Sequence, residues 1–128
     1  MDRRSPQLDL TSVWAGREAT LRLCGELDMS SLPHALRGLE EILQREPDKL
    51  ILDLAGLSFA DSYGLALIVR AYKGLRGRPV IICSPSRQVR RVLQITGIDQ
   101  VCAIEDPGLQ WAAPAPGFPR SPNAARPG

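Results

Sequence analysis

The segment "LSFADSYGLALI", residues 57–68, sets a hydroxyl, Ser62, between an acid, Asp61, and an aromatic ring, Tyr63, with Gly64 and an apolar run behind. A serine so placed can attack a substrate, cap a helix or accept a group from another protein. The first option fails on spacing. A nucleophile elbow is G-x-S-x-G, and here Ala60 and Gly64 occupy the flanking offsets. The one histidine, His34, falls in an exposed pattern at the front of a helix and reads as a surface residue, not a general base. No second acid, lysine or metal set is placed to activate Ser62, and no Gly-x-x-x-x-Gly-Lys loop is present to hold a nucleotide phosphate. The chain therefore reads as a non-enzyme with no cofactor and no metal. Two readings of the Asp61–Ser62 pair stay open: a helix N-cap, for which both residue types are favoured, and a phosphoacceptor.

The elements that must position the pair follow from periodicity. "QLDLTSVWA" and "EATLRLCGEL" are strand candidates joined at Gly16 as a hairpin. "SSLPHALRGLEEILQREP" is a helix capped by Ser30 or Ser31, with Pro33 in its first turn and Leu32, Leu36, Leu39 and Leu43 on one face. "KLILDL" is a short apolar run, expected to be a central strand covered on both sides. A second helix follows the Asp61–Ser62 junction through about Arg76, with Leu65, Ile68, Val69 and Tyr72 as its inner stripe. "PVIIC" is a further strand. "SPSRQVRRVLQIT" is a third helix, with Ser84 and Ser86 as capping residues, Val89, Val92 and Leu93 inward, and Arg87, Arg90, Arg91 and Gln94 outward. "QVCAI" is the last strand candidate. The order β-β-α-β-α-β-α-β predicts an α/β domain with a mixed sheet, its later strands parallel through helical crossovers. Ser62 then lies outside the carboxyl end of a central strand, where open α/β sheets present their working groups.

Charge narrows the partners. The 128 residues hold 16 basic and 14 acidic side chains; the segment from Pro107 carries Arg120 and Arg126 and no acid, so positions 1–106 balance at zero. A neutral body has no general pull towards nucleic acid or anionic lipid. No apolar run approaches the ~20 residues of a membrane-spanning helix, and the polar N-terminus is not a secretory signal. Cys24, Cys83 and Cys102 are odd in number and widely spaced, so they read as buried thiols in a reducing, cytoplasmic setting. Six of the eleven prolines fall from Pro107 onward. The expected division is a domain over residues 1–110 and a Pro-rich tail over 111–128, disordered from 113, with "LQWAA" as a short turn whose Trp111 packs back.

"CGELDMSS", "LILDLAGLSFADSYGLALIVRAYKGLRGRPVIICSPSRQVRRVLQITGID" and the spacing between them resemble the STAS domain of bacterial anti-sigma factor antagonists, from roughly Leu8 to Asp106. The resemblance implies an α/β STAS-type fold, a mixed four- to five-stranded sheet with helices packed mainly on one face, and a partner-switching regulator of transcription. Unphosphorylated, it binds an anti-sigma factor that is also a serine kinase. Phosphorylated by that kinase, it lets go, and a serine phosphatase resets it. The acceptor that the resemblance implies is Ser62, with Asp61, Gly64 and Asp28 of "GELD" at the partner interface. Read from the residues alone, Asp28 is only a residue ahead of a helix with favourable dipole placement. Tyr63 departs from the family's second small hydroxyl residue. It is either an aromatic anchor for a partner or an obstruction that leaves a non-phosphorylated scaffold, such as an accessory subunit of a signalling or transport assembly. A large side chain at Gly64 is expected to weaken partner binding at little cost in stability.

Overall fold

A hairpin opens the structure, and its turn chemistry is local. The computed structural model describes residues 8–60 and 62–106, with the side chains of 58–60, 62 and 63 left aside. Strands β1 (Leu8–Ala15) and β2 (Glu18–Leu27) pair antiparallel, with Ala15 opposite Glu18. The two residues between them begin with Gly16 at φ 62°, a conformation that suits glycine at the first position of a tight hairpin loop. Helix α1 (Leu32–Leu43), strand β3 (Lys49–Ala60), helix α2 (Ser62–Leu75), strand β4 (Val80–Cys83), helix α3 (Arg87–Thr96), a short 3₁₀ turn (Ile98–Gln100) and strand β5 (Ala103–Glu105) follow. The five strands lie in sequence order, and β2 to β5 are parallel throughout. This is the expected mixed sheet.

Three successive crossovers step the same way along that sheet. Each is right-handed by the general rule, so α1, α2 and α3 all fall on one face. The buried residues agree. Leu21, Leu23, Leu50, Leu52, Leu54 and Ile82 point to one side and share a core with Ala35, Leu39, Leu67, Ala71, Val89 and Leu93 of the helices. Strand β3 alternates accordingly: Leu50, Leu52 and Leu54 are buried while Ile51 and Asp53 are half-buried. The expectation of a strand buried on both sides is met in full only on the helix side; on the other, Ile51 and Asp53 are half-buried and no crossover helix lies there.

Other corrections are local. The inner stripe of α2 is Gly64, Leu67, Ile68, Ala71 and Leu75, whereas Val69 and Tyr72 are exposed and Leu65 half-buried. Ser86 caps α3, its Oγ accepting from the Val89 N–H at 3.1 Å. Ser84 does not cap; it sits at φ 54° and donates its N–H to the Glu105 carbonyl. Cys24 is exposed, Cys83 half-buried and Cys102 buried, so only one thiol is fully inside. His34 is half-buried and lines an open groove of about 400 Å³ between β1 and α1, beside Trp14, Arg37 and Arg45. The C-terminal tail and its "LQWAA" turn lie outside the described residues.

Candidate functional site

The parallel register decides what meets at the working end of the sheet. Leu27, the last residue of β2, pairs with Ala60, the last residue of β3. Asp28 therefore leaves one strand beside the point where the chain leaves the other to begin α2 at Ser62. Two β-bulges bring β3 to this register. From Arg22↔Asp53 to Cys24↔Gly56, β2 advances two residues and β3 three; from Gly25↔Leu57 to Glu26↔Phe59, β2 advances one and β3 two. Each step inserts one extra residue into β3, and bulges near sites re-aim the residues that follow. The first is stitched by the Asp53 carboxylate, whose Oδ1 accepts from the Ala55 N–H at 3.1 Å. It also needs Gly56, because a Cβ there would come within 2.5 Å of the Cys24 Sγ.

Asp28 is held by its own loop. Its Oδ1 accepts from the Ser30 N–H at 3.0 Å, the Ser30 hydroxyl at 2.8 Å and the Ser31 N–H at 3.1 Å. The Ser31 hydroxyl donates to the Glu26 carbonyl at 2.8 Å and its oxygen accepts from the Asp28 N–H. These bonds, the Ser30 hydroxyl foremost and the Ser31 N–H next, hold the Asp28 carboxyl below the usual range. The expected cap is met in position, at Ser31, but not in its bonding. Ser31 occupies the N-cap position without a side-chain cap bond, and the Asp28 carboxylate collects the N–H groups ahead of the helix. Between Asp28 and Ser30, Met29 stands 64% exposed. Sequence reading passed over it, although an apolar residue inside "DMSS" was the available signal.

The remaining candidates divide. Ser62 opens α2, and its side chain and that of Tyr63 are outside the described residues, as is Asp61 altogether. Gly64 is buried, lining an apolar seam between α2 and α3 with Leu27, Leu54, Ile68 and Val89. Arg87 and Arg91 are exposed on α3, while Arg90 is engaged with Asp106 at 2.9 Å. Among the described residues no three His, Cys, Asp or Glu side chains are grouped to hold a metal ion, and no helix is long and apolar enough to cross a membrane. A fourteen-residue helix starting at the carboxyl end of a central strand presents N–H groups and a partial positive charge at Ser62.

The STAS domain family model matches residues 14–107. An anti-sigma F factor antagonist from Paenibacillus polymyxa is 32% identical over 89 residues, 67% of this chain and 76% of that protein. The chain belongs to the STAS-domain family of anti-sigma factor antagonists. Among solved structures the STAS domain shares its fold with an anti-sigma factor antagonist from Mycobacterium paratuberculosis, at TM-score 0.72 and 20% identity over 77% of this chain and 85% of that one. The same holds for the phosphorylated form of the Bacillus cell fate determinant SpoIIAA, at TM-score 0.64 and 24% identity over 77% and 90% of the two chains.

Proposed function

We propose that this chain is a cytoplasmic, non-enzymatic anti-sigma factor antagonist that binds an anti-sigma factor serine kinase when unphosphorylated and is released when Ser62 is phosphorylated. A serine phosphatase of the same switch restores it. The observation that carries this reading is the Leu27↔Ala60 register, which sets the Asp28 loop beside the start of α2. The partner surface is then Asp28, Met29, Asp61 and Tyr63 around the Ser62 hydroxyl. Fold likeness to SpoIIAA, solved in a phosphorylated form, supports the modification.

The energetics need no refolding. A phosphate brings about −1.5 to −2 charges to one point. Against a partner carboxylate ~5 Å away, at an effective dielectric near 20, each unit charge costs about 3 kcal/mol. Since ~1.4 kcal/mol is tenfold in affinity, one phosphate is enough to release a partner bound at micromolar to nanomolar strength.

The test incubates the chain with the host's anti-sigma factor kinases and ATP and maps phosphate by mass spectrometry. Ser62 is expected to carry it. Ser62→Ala should keep binding the kinase whether or not ATP is present, and Ser62→Asp should bind at least tenfold more weakly. Equal binding by the two variants, with no phosphate on Ser62, would favour an unswitched scaffold in a signalling or transport assembly.

A further inference from the structure

Of the sheet's two edges, one is blunted and the other is not. Strand β5 is only three residues long, which leaves a pairing partner little to hold. Strand β1 runs eight residues in unbroken register with β2, without a bulge. Its sequence, "LDLTSVWA", has no proline, lysine or arginine, and Asp9 is its one charge. Edges that must stay unpaired carry such guards. Every second residue of β1 turns an N–H and a C=O away from β2, and no described strand lies there to receive them. Alongside this edge runs the groove between β1 and α1, floored by Leu10, Gly38 and Ile42. A Cβ on Gly38 would come within 2.7 Å of the Leu10 Cδ1, so helix and strand touch there. Further along, the Arg45 guanidinium lies over the Trp14 ring, 4.4 Å from its centroid. The two contacts show that α1 and β1 run in the same direction. Arg37, Glu41 and Arg45 form the groove's exposed rim, and among the described residues neither arginine is paired with a carboxylate.

We propose that β1 and this groove take an extended, acidic segment of a partner protein as a sixth strand. Its backbone pairs with the open edge, and every second side chain falls over the groove. Spacing sets the chemistry of those side chains. Eight residues of helix put Arg37 and Arg45 about 12 Å apart along the axis. Residues i and i+4 of a strand are about 13 Å apart, with i+2 midway. Acids at i and i+4 therefore reach the two arginines, and an apolar residue at i+2 rests on the floor of Leu10 and Ile42. Glu41, between the arginines, disfavours a third acid at i+2. A second copy fits less well. Pairing β1 with another β1 would bring Leu10, Ser12 and Trp14 over the groove and no acid, since Asp9 alternates to the other face.

The experiment titrates the isotope-labelled full chain with the peptide acetyl-TEVLTEV-amide, whose glutamates flank its leucine on one face, and reads amide shifts and hydrogen exchange by NMR. Amides of residues 9–14 and 37–45 should shift together, and the outward amides of β1 should exchange at least tenfold more slowly at saturation. The peptide TKVLTKV should bind at least tenfold more weakly, and an Arg37→Glu/Arg45→Glu chain should invert that preference. Both arginines are exposed, and an inverted preference reports charge whatever the substitutions do to stability. No shift at millimolar peptide, or binding that ignores both charge reversals, overturns the proposal. So does binding that survives methylation of the peptide nitrogens on each alternate set in turn, because the peptide would then not be a strand. Protection of the same β1 amides that grows with protein concentration, without any peptide, would assign the edge to a second copy and overturn it as well.

Discussion

At Asp28 one carboxylate oxygen gathers three donors from Ser30 and Ser31 at 3.1 Å or closer, so the residue shapes the loop whatever it offers a partner. Asparagine keeps the acceptor oxygen and is itself favoured ahead of helices, whereas alanine loses it. Asp28→Asn is thus expected to melt close to the parent chain yet bind the kinase differently, and Asp28→Ala to melt lower. The pH dependence has a definite sign. Hydrogen bonds depress the folded-state pKa of Asp28 below its ordinary value, so its contribution is complete above the unfolded value near ~3.9 and is lost as pH falls through the folded one. The melting gap between the parent and Asp28→Ala should be widest near neutrality and close in strong acid. Thermal melts across that range check it, and a gap that persists in acid counts against the network. "GELDMSS" advertised an acid and two serines ahead of a helix; which of the three would cap it was not legible. That choice depends on how β2 delivers the chain into the loop, and periodicity does not encode it.

Among the elements, α2 shows where sequence patterning runs out. Its apolar residues cover more than one face: Leu65, Leu67, Ile68, Val69, Ala71, Tyr72 and Leu75 fit two stripes almost equally well. Packing against β3 and α1 selects Gly64, Leu67, Ile68, Ala71 and Leu75, an i, i+3, i+4, i+7 set that admits two small residues where neighbours come close. Helices α1 and α3, with polar and apolar residues better segregated, were legible in outline. The placement of Gly64 in a seam with Leu27, Leu54 and Val89 changes the outcome expected of a large residue there. Gly64→Leu should overpack the seam and destabilise the domain by about 1–3 kcal/mol. For a domain of this size, that lowers the melting temperature by roughly 4–8 °C per kcal/mol. Calorimetry decides the matter: an undisturbed melt with impaired kinase binding would return Gly64 to the surface role. The two bulges in β3 were invisible beforehand, because they are defined by pairing with β2 and "LAGLSFA" taken alone reads as strand or loop.

For the molecule as a whole, the order of elements foretold a mixed α/β sheet with parallel crossovers; the one-sided placement of the helices came with the family resemblance, because it follows from the strands lying in sequence order, which patterning does not encode. One core joins sheet and helices, and this bears on what phosphorylation of Ser62 would do to stability. The new charge would lie at the N-terminus of a fourteen-residue helix, where a negative group is favoured by about 0.3–1 kcal/mol at an exposed position. The Asp28 carboxylate on the adjoining loop acts the other way. These opposing terms should nearly cancel, so the phosphorylated chain is expected to melt within a few degrees of the unmodified one while its affinity for the kinase falls by orders of magnitude. Paired melts and binding isotherms on the two forms test both halves of this expectation. A drop in melting temperature of ten degrees or more on phosphorylation would mean that the modification loosens the domain itself, and release would then follow from partial unfolding instead of charge at an intact surface.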